Sequence, residues 1–259
     1  MGLPSRRVSV VVASSMELVD CSRLITMHMA EDETHLFRNS WGLYDALAEK
    51  NYMFHREIYA IIADMLWQRH QQGGYSMLDL GCGNTRFLAP CLHQAVPLCY
   101  DGVDLSQTAL EEARGYLSGL SNVTLRCQDM LQAVRERGKG SLDTLFSGYA
   151  VHHLDADEKQ QLFHASAEGL GLGGLFILVD IARQEGETRQ QYLDTYLQTM
   201  RTQWTAVRPE DMDAACAHVA AYDFPETISD LTHMASNAGF REARLVDRFA
   251  QHHVMMFQM

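Results

Sequence analysis

Apolar positions fall at helical spacing between residues 43 and 69, through Ile58, Ile61, Ile62, Met65 and Leu66, and the pattern stops at Gly73-Gly74. A short apolar run, Met77 to Leu80, then reads as a strand, Gly81-Cys82-Gly83 as a tight turn, and Arg86 to Gln94 as a helix broken by Pro97. The alternation recurs. Leu98 to Val103, Val123 to Cys127, Leu142 to Phe146 and Gly174 to Ile181 predict strands. Helices are predicted between them at Ser106 to Leu117, with Ser106 as cap, at Leu131 to Arg137 and at Asp157 to Gly169. The last of these strands is apolar almost throughout, as expected of a strand covered on both faces.

After Ile181 the alternation stalls. Residues 183 to 224 carry two helical patterns (Tyr192, Tyr196, Met200; Met212, Cys216, Val219) and no strand, which predicts a helical cap inserted after the fifth strand. A helix at Ile228 to Ala238, stopped by Gly239, leads into strands at Ala243 to Phe249 and His253 to Gln258. The link between those two strands is too short for a parallel crossover, so they must be antiparallel. The predicted fold is α/β: a doubly wound, Rossmann-like sheet of seven strands, mostly parallel, closed by an antiparallel C-terminal hairpin. Residues 1–54 are expected to form an N-terminal extension with cap helices, and residues 55–259 the core.

Composition narrows the partners. The chain has 259 residues, 47% of them hydrophobic, which suffices for a buried core. Its net charge of −12 and the lack of a Lys/Arg cluster disfavour nucleic acid. No apolar run is long enough to span a bilayer, so a membrane partner is not expected. Six scattered cysteines without a C-x-x-C pair read as reduced thiols of a cytoplasmic protein, and a small molecule is the expected substrate. A monomer and a homodimer are equally compatible with the sequence. The twelve histidines contain no H-x-x-x-H pair, and no metal site is expected.

The candidate chemistry begins at Leu78-Asp-Leu-Gly-Cys-Gly-Asn84. Gly81 and Gly83 can bring backbone N–H groups into contact with a ligand, and Asp79 before them suits a cationic group. Asp104, at the end of the second strand and 21 residues beyond Gly83, is placed to accept both hydroxyls of a ribose. A dinucleotide site would want a third glycine where Arg86 stands, and no P-loop is present. Asp129, after the third strand, could accept from an adenine amino group. Together the three strand ends describe a site for an adenosine with an amino-acid tail.

With these landmarks the sequence resembles the class I S-adenosylmethionine-dependent methyltransferases, in particular the small-molecule branch. The resemblance runs over roughly residues 55 to 258 and includes Asp129-Met130, Ser147-Gly-Tyr-Ala-Val-His-His-Leu154 and Ala238-Gly-Phe240. It implies S-adenosyl-L-methionine as cofactor, with Gly81 and Gly83 facing the methionine part, Asp104 the ribose, Leu105 and Met130 the adenine faces, Asp129 the adenine amine and Ser147 the methionine tail. Thr85 departs from the family, many members having glycine there.

Tyr149 and His152 follow the fourth strand, where the transferred methyl would point, and are the candidate catalytic residues, His152 as a proton acceptor. His252 and His253 are expected at the surface or an edge. Trp41, Tyr44, Tyr52, His55, Tyr192 and Tyr196 are the candidate substrate-facing residues, since rings with polar tips can shield a methyl-transfer site from water. The expected activity is methylation of a small organic molecule. Three other readings stay open: an NAD-dependent oxidoreductase, a methyltransferase for protein or tRNA, although neither a basic face nor an appended recognition domain is visible, and a non-catalytic S-adenosylmethionine-binding regulator.

Overall fold

The computed structural model describes residues 47–259. A seven-stranded sheet runs through it in the order β3-β2-β1-β4-β5-β7-β6. The strands are β1 (Ser76–Leu80), β2 (Cys99–Asp104), β3 (Val123–Cys127), β4 (Leu142–Gly148), β5 (Leu170–Ile181), β6 (Glu242–Phe249) and β7 (His252–Gln258). β1 to β5 are parallel, whereas β7 is antiparallel to both β5 and β6. The predicted architecture is the observed one.

Strand order reverses between β1 and β4, so the crevice beyond their carboxyl ends is where an α/β sheet of this kind receives ligands. The sheet owes its position to alternation. Along β5, Leu175, Ile177 and Val179 face α1 (His55–Gln71), α2 (Ala89–Gln94) and α3 (Gln107–Tyr116). Phe176 and Leu178 face α4 (Met130–Arg135), α5 (Ala156–Gly169) and α8 (Ile228–Ala238). Both faces of β5 are thus buried, which is why its sequence shows no polar period.

Helix ends follow local chemistry. The Ser106 and Asp129 side chains accept from the third residue of α3 and α4, Asp155 and Thr227 close capping boxes on α5 and α8, and Gly239 ends α8 at a φ of 101°. The stretch read as a helix from Arg86 begins only at Ala89, because Thr85 at φ 59° continues the turn out of β1.

Two helices, α6 (Arg189–Gln203) and α7 (Pro209–Tyr222), occupy the insertion after β5. They form a third apolar cluster through Tyr192, Tyr196, Met200, Trp204, Met212 and Cys216, with Ile181 as its link to the sheet. The return to the core is firmly tied. Arg189 donates to the Asp223 and Ala220 carbonyls at the end of α7, and its guanidinium lies 4.5 Å from the centre of the Phe224 ring. The buried Lys159 ammonium pairs with Glu226 at 3.2 Å and donates to the Phe224 carbonyl.

Candidate functional site

The turn out of β1 is built for close approach. Gly81 has a φ of 67°, and a Cβ there would stand 2.4 Å from the Ala150 Cβ and 3.7 Å from the Met130 Cε. Only glycine lets the tips of β1, β3 and β4 meet at this distance. Gly83, at φ 54°, faces open space instead. Thr85 also adopts the left-handed region, so the backbone keeps the form that glycine would take freely even though the side chain departs from it.

Asp104 joins the tips of β1 and β2. One carboxylate oxygen accepts from Gly83 N and the other from Ser106 N, each at 2.7 Å. Burial raises its pKa, against the pull of these backbone bonds. Beside it Leu105 stands exposed, an apolar side chain at the mouth of the crevice. Asp129 spends one oxygen on capping α4, and Met130 lies half-buried against the core.

Asp79 is buried, and its Oδ2 accepts from the Tyr100 hydroxyl at 2.6 Å while its Oδ1 has no partner. Burial pushes its pKa to about 7; the Tyr100 bond opposes the shift and Asp104 adds to it. A buried carboxylate with an orphaned oxygen beside an open glycine fits a ligand carrying a cationic amine. Ser147 behaves differently from expectation. Its hydroxyl donates to the Leu80 carbonyl at 2.9 Å in the seam between β1 and β4, so it braces those strands rather than facing a ligand.

The other half of the crevice lies beyond β4, β5 and β7 and is walled by rings. His55 stacks on Phe87 at 3.8 Å and meets the Tyr149 edge at 5.7 Å. His252 packs against Phe54, Tyr149 and Tyr196 at 5.8, 5.6 and 6.1 Å. The expectation that His252 and His253 sit at the surface is overturned. Both are buried, because β7 runs between β5 and β6 and not at the sheet edge. Burial lowers the pKa of His55 to about 4 and that of His252 to about 3, and the Nδ1 atoms of both are buried without a partner.

Tyr149 and His152 are close to the wall but committed. Tyr149, at φ 59°, donates its hydroxyl to the Met53 carbonyl, and burial raises its pKa. His152 Nδ1 lies 2.5 Å from Asp180 Oδ1, and its backbone N–H donates to Asp180 Oδ2. Burial alone would lower the His152 pKa, but Asp180 and Asp223 outweigh it and raise it to about 9. A resting proton acceptor near neutrality is therefore not what this environment makes of His152.

Among the expected substrate residues, Tyr52 stacks on Trp204 at 5.7 Å and accepts from Ala206 N, and Tyr192 stacks on Tyr196 at 5.4 Å. These rings cement the cap, with Tyr196 alone also touching the His252 wall. Trp41 and Tyr44 lie outside the described residues. His152, His153 and Asp223 converge so that one possible ligand atom from each lies within 4.8 Å of the others, across 70 residues of chain that spacing could not bridge. A separate groove of about 270 Å³ lies behind the cap, lined by Arg183, Glu185, Tyr192 and Arg248 among others, away from the glycine turn.

Residues 77–174 match the family model described as a methyltransferase domain. No curated protein matches the chain. Solved structures similar to it include a possible exported protein from Bordetella parapertussis, 19% identical, with a TM-score of 0.57 over 78% of this chain and 67% of that one. The apo form of the S-adenosylmethionine-dependent methyltransferase SibL is 15% identical, with a TM-score of 0.52 over 75% and 53%. A S-adenosylmethionine-dependent methyltransferase from Mesorhizobium loti is 18% identical, with a TM-score of 0.51 over 72% and 92%. The chain thus spans about two thirds of the first structure and about half of the second. At such identities the structures carry the fold alone, and the family match a methyltransferase domain over residues 77–174. Residues 77–174 thus match a methyltransferase domain, in a chain that has the fold of S-adenosylmethionine-dependent methyltransferases.

Proposed function

We propose that the chain methylates a small organic molecule held against the ring-lined half of the crevice. One observation carries this reading: His55, Tyr149, Tyr196 and His252, from four separate segments, form one wall beyond β4 and β7, next to the glycine turn. Such a wall suits a compact, partly aromatic acceptor and excludes water from it. The bound cofactor supplies an electrophilic sulfonium methyl. Asp104, Leu105, Asp129 and Met130 would hold its nucleoside part, Gly83 would face its methionine part, and Asp79 would meet its amine.

The wall contains no strong neutral base. His152 is already protonated near neutrality, whereas His55 and His252 take up a proton only near pH 4 and pH 3. The acceleration then rests on holding nucleophile and methyl in line at near-attack distance, which can supply about 7–11 kcal/mol. Acceptors whose nucleophile is available without a strong base fit best. Among the described residues no helix is long and apolar enough to cross a membrane. The five free cysteines described suit work in the cytoplasm.

The test is a screen of small-molecule pools that follows S-adenosylhomocysteine release. The expected result is turnover with a low-molecular-weight acceptor and a rate that follows the acceptor's own ionisation between pH 6 and 8. Turnover only with protein or tRNA fractions would reject the reading.

A further inference from the structure

We infer that the chain has a divalent-cation site, with zinc the best fit, formed by His152, His153 and Asp223, where the cap returns to the core. The central observation is the Asp223 carboxylate. It is buried, and its Oδ1 has no hydrogen-bond partner. Yet that oxygen faces two imidazoles, 3.7 Å from His152 Nε2 and 3.8 Å from His153 Nδ1.

These separations are too long for hydrogen bonds. A charge-assisted imidazolium–carboxylate contact closes to about 2.7–2.9 Å, as His152 and Asp180 have done on the other side of the same ring. They lie a few tenths of an ångström beyond the spacing of shared coordination, in which two ligands about 2.0–2.1 Å from a tetrahedral ion stand roughly 3.3–3.5 Å apart, so a small inward shift of the side chains would seat an ion. Two imidazoles and one carboxylate form a donor set of borderline softness, favouring zinc over magnesium or calcium. Three protein ligands leave a fourth position for water.

The surroundings are arranged as a ligand site needs. Asp180 accepts from the His152 backbone and the Ile181 backbone and holds His152 Nδ1. With Nδ1–H directed at Asp180, an ion entering beside Asp223 would displace the Nε2 proton and take its lone pair, the outer-carboxylate pattern that orients metal-bound histidines. His153 Nδ1 also lies 3.2 Å from the Tyr222 carbonyl. Ligation through Nδ1 moves its hydrogen to Nε2, a change of tautomer open to a neutral imidazole. The Lys159 ammonium nearby is paired with Glu226.

The backbone brings the ligands together independently of any ion. Phe224 N donates to the His152 carbonyl at 2.8 Å, so the residue after Asp223 is pinned to the residue that supplies the first imidazole. Asp223 follows α7 of the cap, while His152 and His153 follow β4 of the core. An ion at this point would clip the cap to the sheet beside the wall of rings. No step of the methyl transfer is routed through it, so the inference stands apart from the proposed substrate.

The test is titration of the full chain, stripped with a chelator, with zinc sulfate and with cobalt chloride, in the absence of cofactor and acceptor. A single saturable equivalent is expected, with cobalt showing the visible absorption of a four-coordinate site. Asp223→Asn should weaken it at least tenfold, and Asp180→Asn, which removes the outer carboxylate, by about 10–100-fold. His153→Ala, at a side chain that is 24% exposed, is the variant expected to disturb packing least, its fold checked by thermal melt, and it should also lose affinity. Absence of saturable binding, or binding unchanged in all three variants, would overturn the inference. Because the readout needs neither cofactor nor acceptor, failure here is distinguishable from failure of the methyl-transfer reading.

Discussion

The two halves of the crevice are made differently. Around β1, β2 and β3, the carboxylates at the strand ends are tied within their own turn or to the adjacent strand, Asp104 with Gly83 and Ser106 and Asp129 with Gln132, while Asp79 Oδ1 and Thr85 Oγ1 stay unpaired. Around β4, β5 and β7, the side chains come from segments up to about 200 residues apart, and several polar atoms stay unpaired: His55 Nδ1, His252 Nδ1 and Asp223 Oδ1. Buried polar atoms in a folded protein are nearly always satisfied, so the exceptions in both halves call for an explanation. The glycine-turn half is thus held by bonds between near neighbours in the chain and the ring-walled half by contacts between distant segments, and each keeps buried atoms without partners.

The largest effect should separate two glycines of the same turn. Gly81→Ala would force a Cβ against Ala150 at a φ of 67°; overpacking and left-handed strain together should cost about 2–4 kcal/mol of stability. Gly83→Ala meets no neighbour, so it should cost about 1 kcal/mol from backbone strain alone while cofactor affinity falls. Equal thermal shifts for the two variants would dissolve the distinction between a packing glycine and a ligand-facing one.

Asp104→Ala should come next. It removes the proposed acceptor for the ribose and strands the Gly83 and Ser106 N–H groups, which should weaken cofactor binding by about 1–3 kcal/mol by calorimetry. Affinity equal to that of the unaltered chain would remove Asp104 from the cradle.

The smallest effect probes the acceptor half through pH. An unfolded histidine titrates near 6.5, whereas buried His252 does so at about 3. Between those values the unfolded state holds the extra proton, so this group's contribution to stability falls as pH drops. Its loss from pH 7 to pH 5 is at most about 2 kcal/mol. His252→Phe should therefore be spared part of the acid destabilisation, and its melting temperature should drop less than that of the unaltered chain over this range. Parallel decline of the two would show that His252 is not held neutral by its surroundings.

The glycine-turn half was legible because its signals are local. Glycines at a strand-to-helix turn, a carboxylate closing the next strand and serine or aspartate caps act through neighbours a few residues away, and the period of apolar residues sets strand and helix. Even Thr85, the departure from the family pattern, kept the left-handed backbone of the turn. The acceptor half was legible only in part. Tyr149 and His152 were located next to the site, but Asp180 and Asp223, which fix the state of His152, were not seen, since neither stands near it in the chain. His252 and His253 looked like edge residues of a terminal hairpin until strand order placed β7 inside the sheet.

The sequence by itself determined the elements, their alternation, the antiparallel end of the sheet and the glycine turn tied to Asp104, because each follows from interactions between residues close in the chain. Only the tertiary structure decided which imidazoles are buried and neutral, that His152 is gripped by one carboxylate and faces a second, and that the Asp223 oxygen is left unpaired between two rings. Burial and charge act through space at a few ångströms, and the separations that bring those groups within range exist only once the chain has folded.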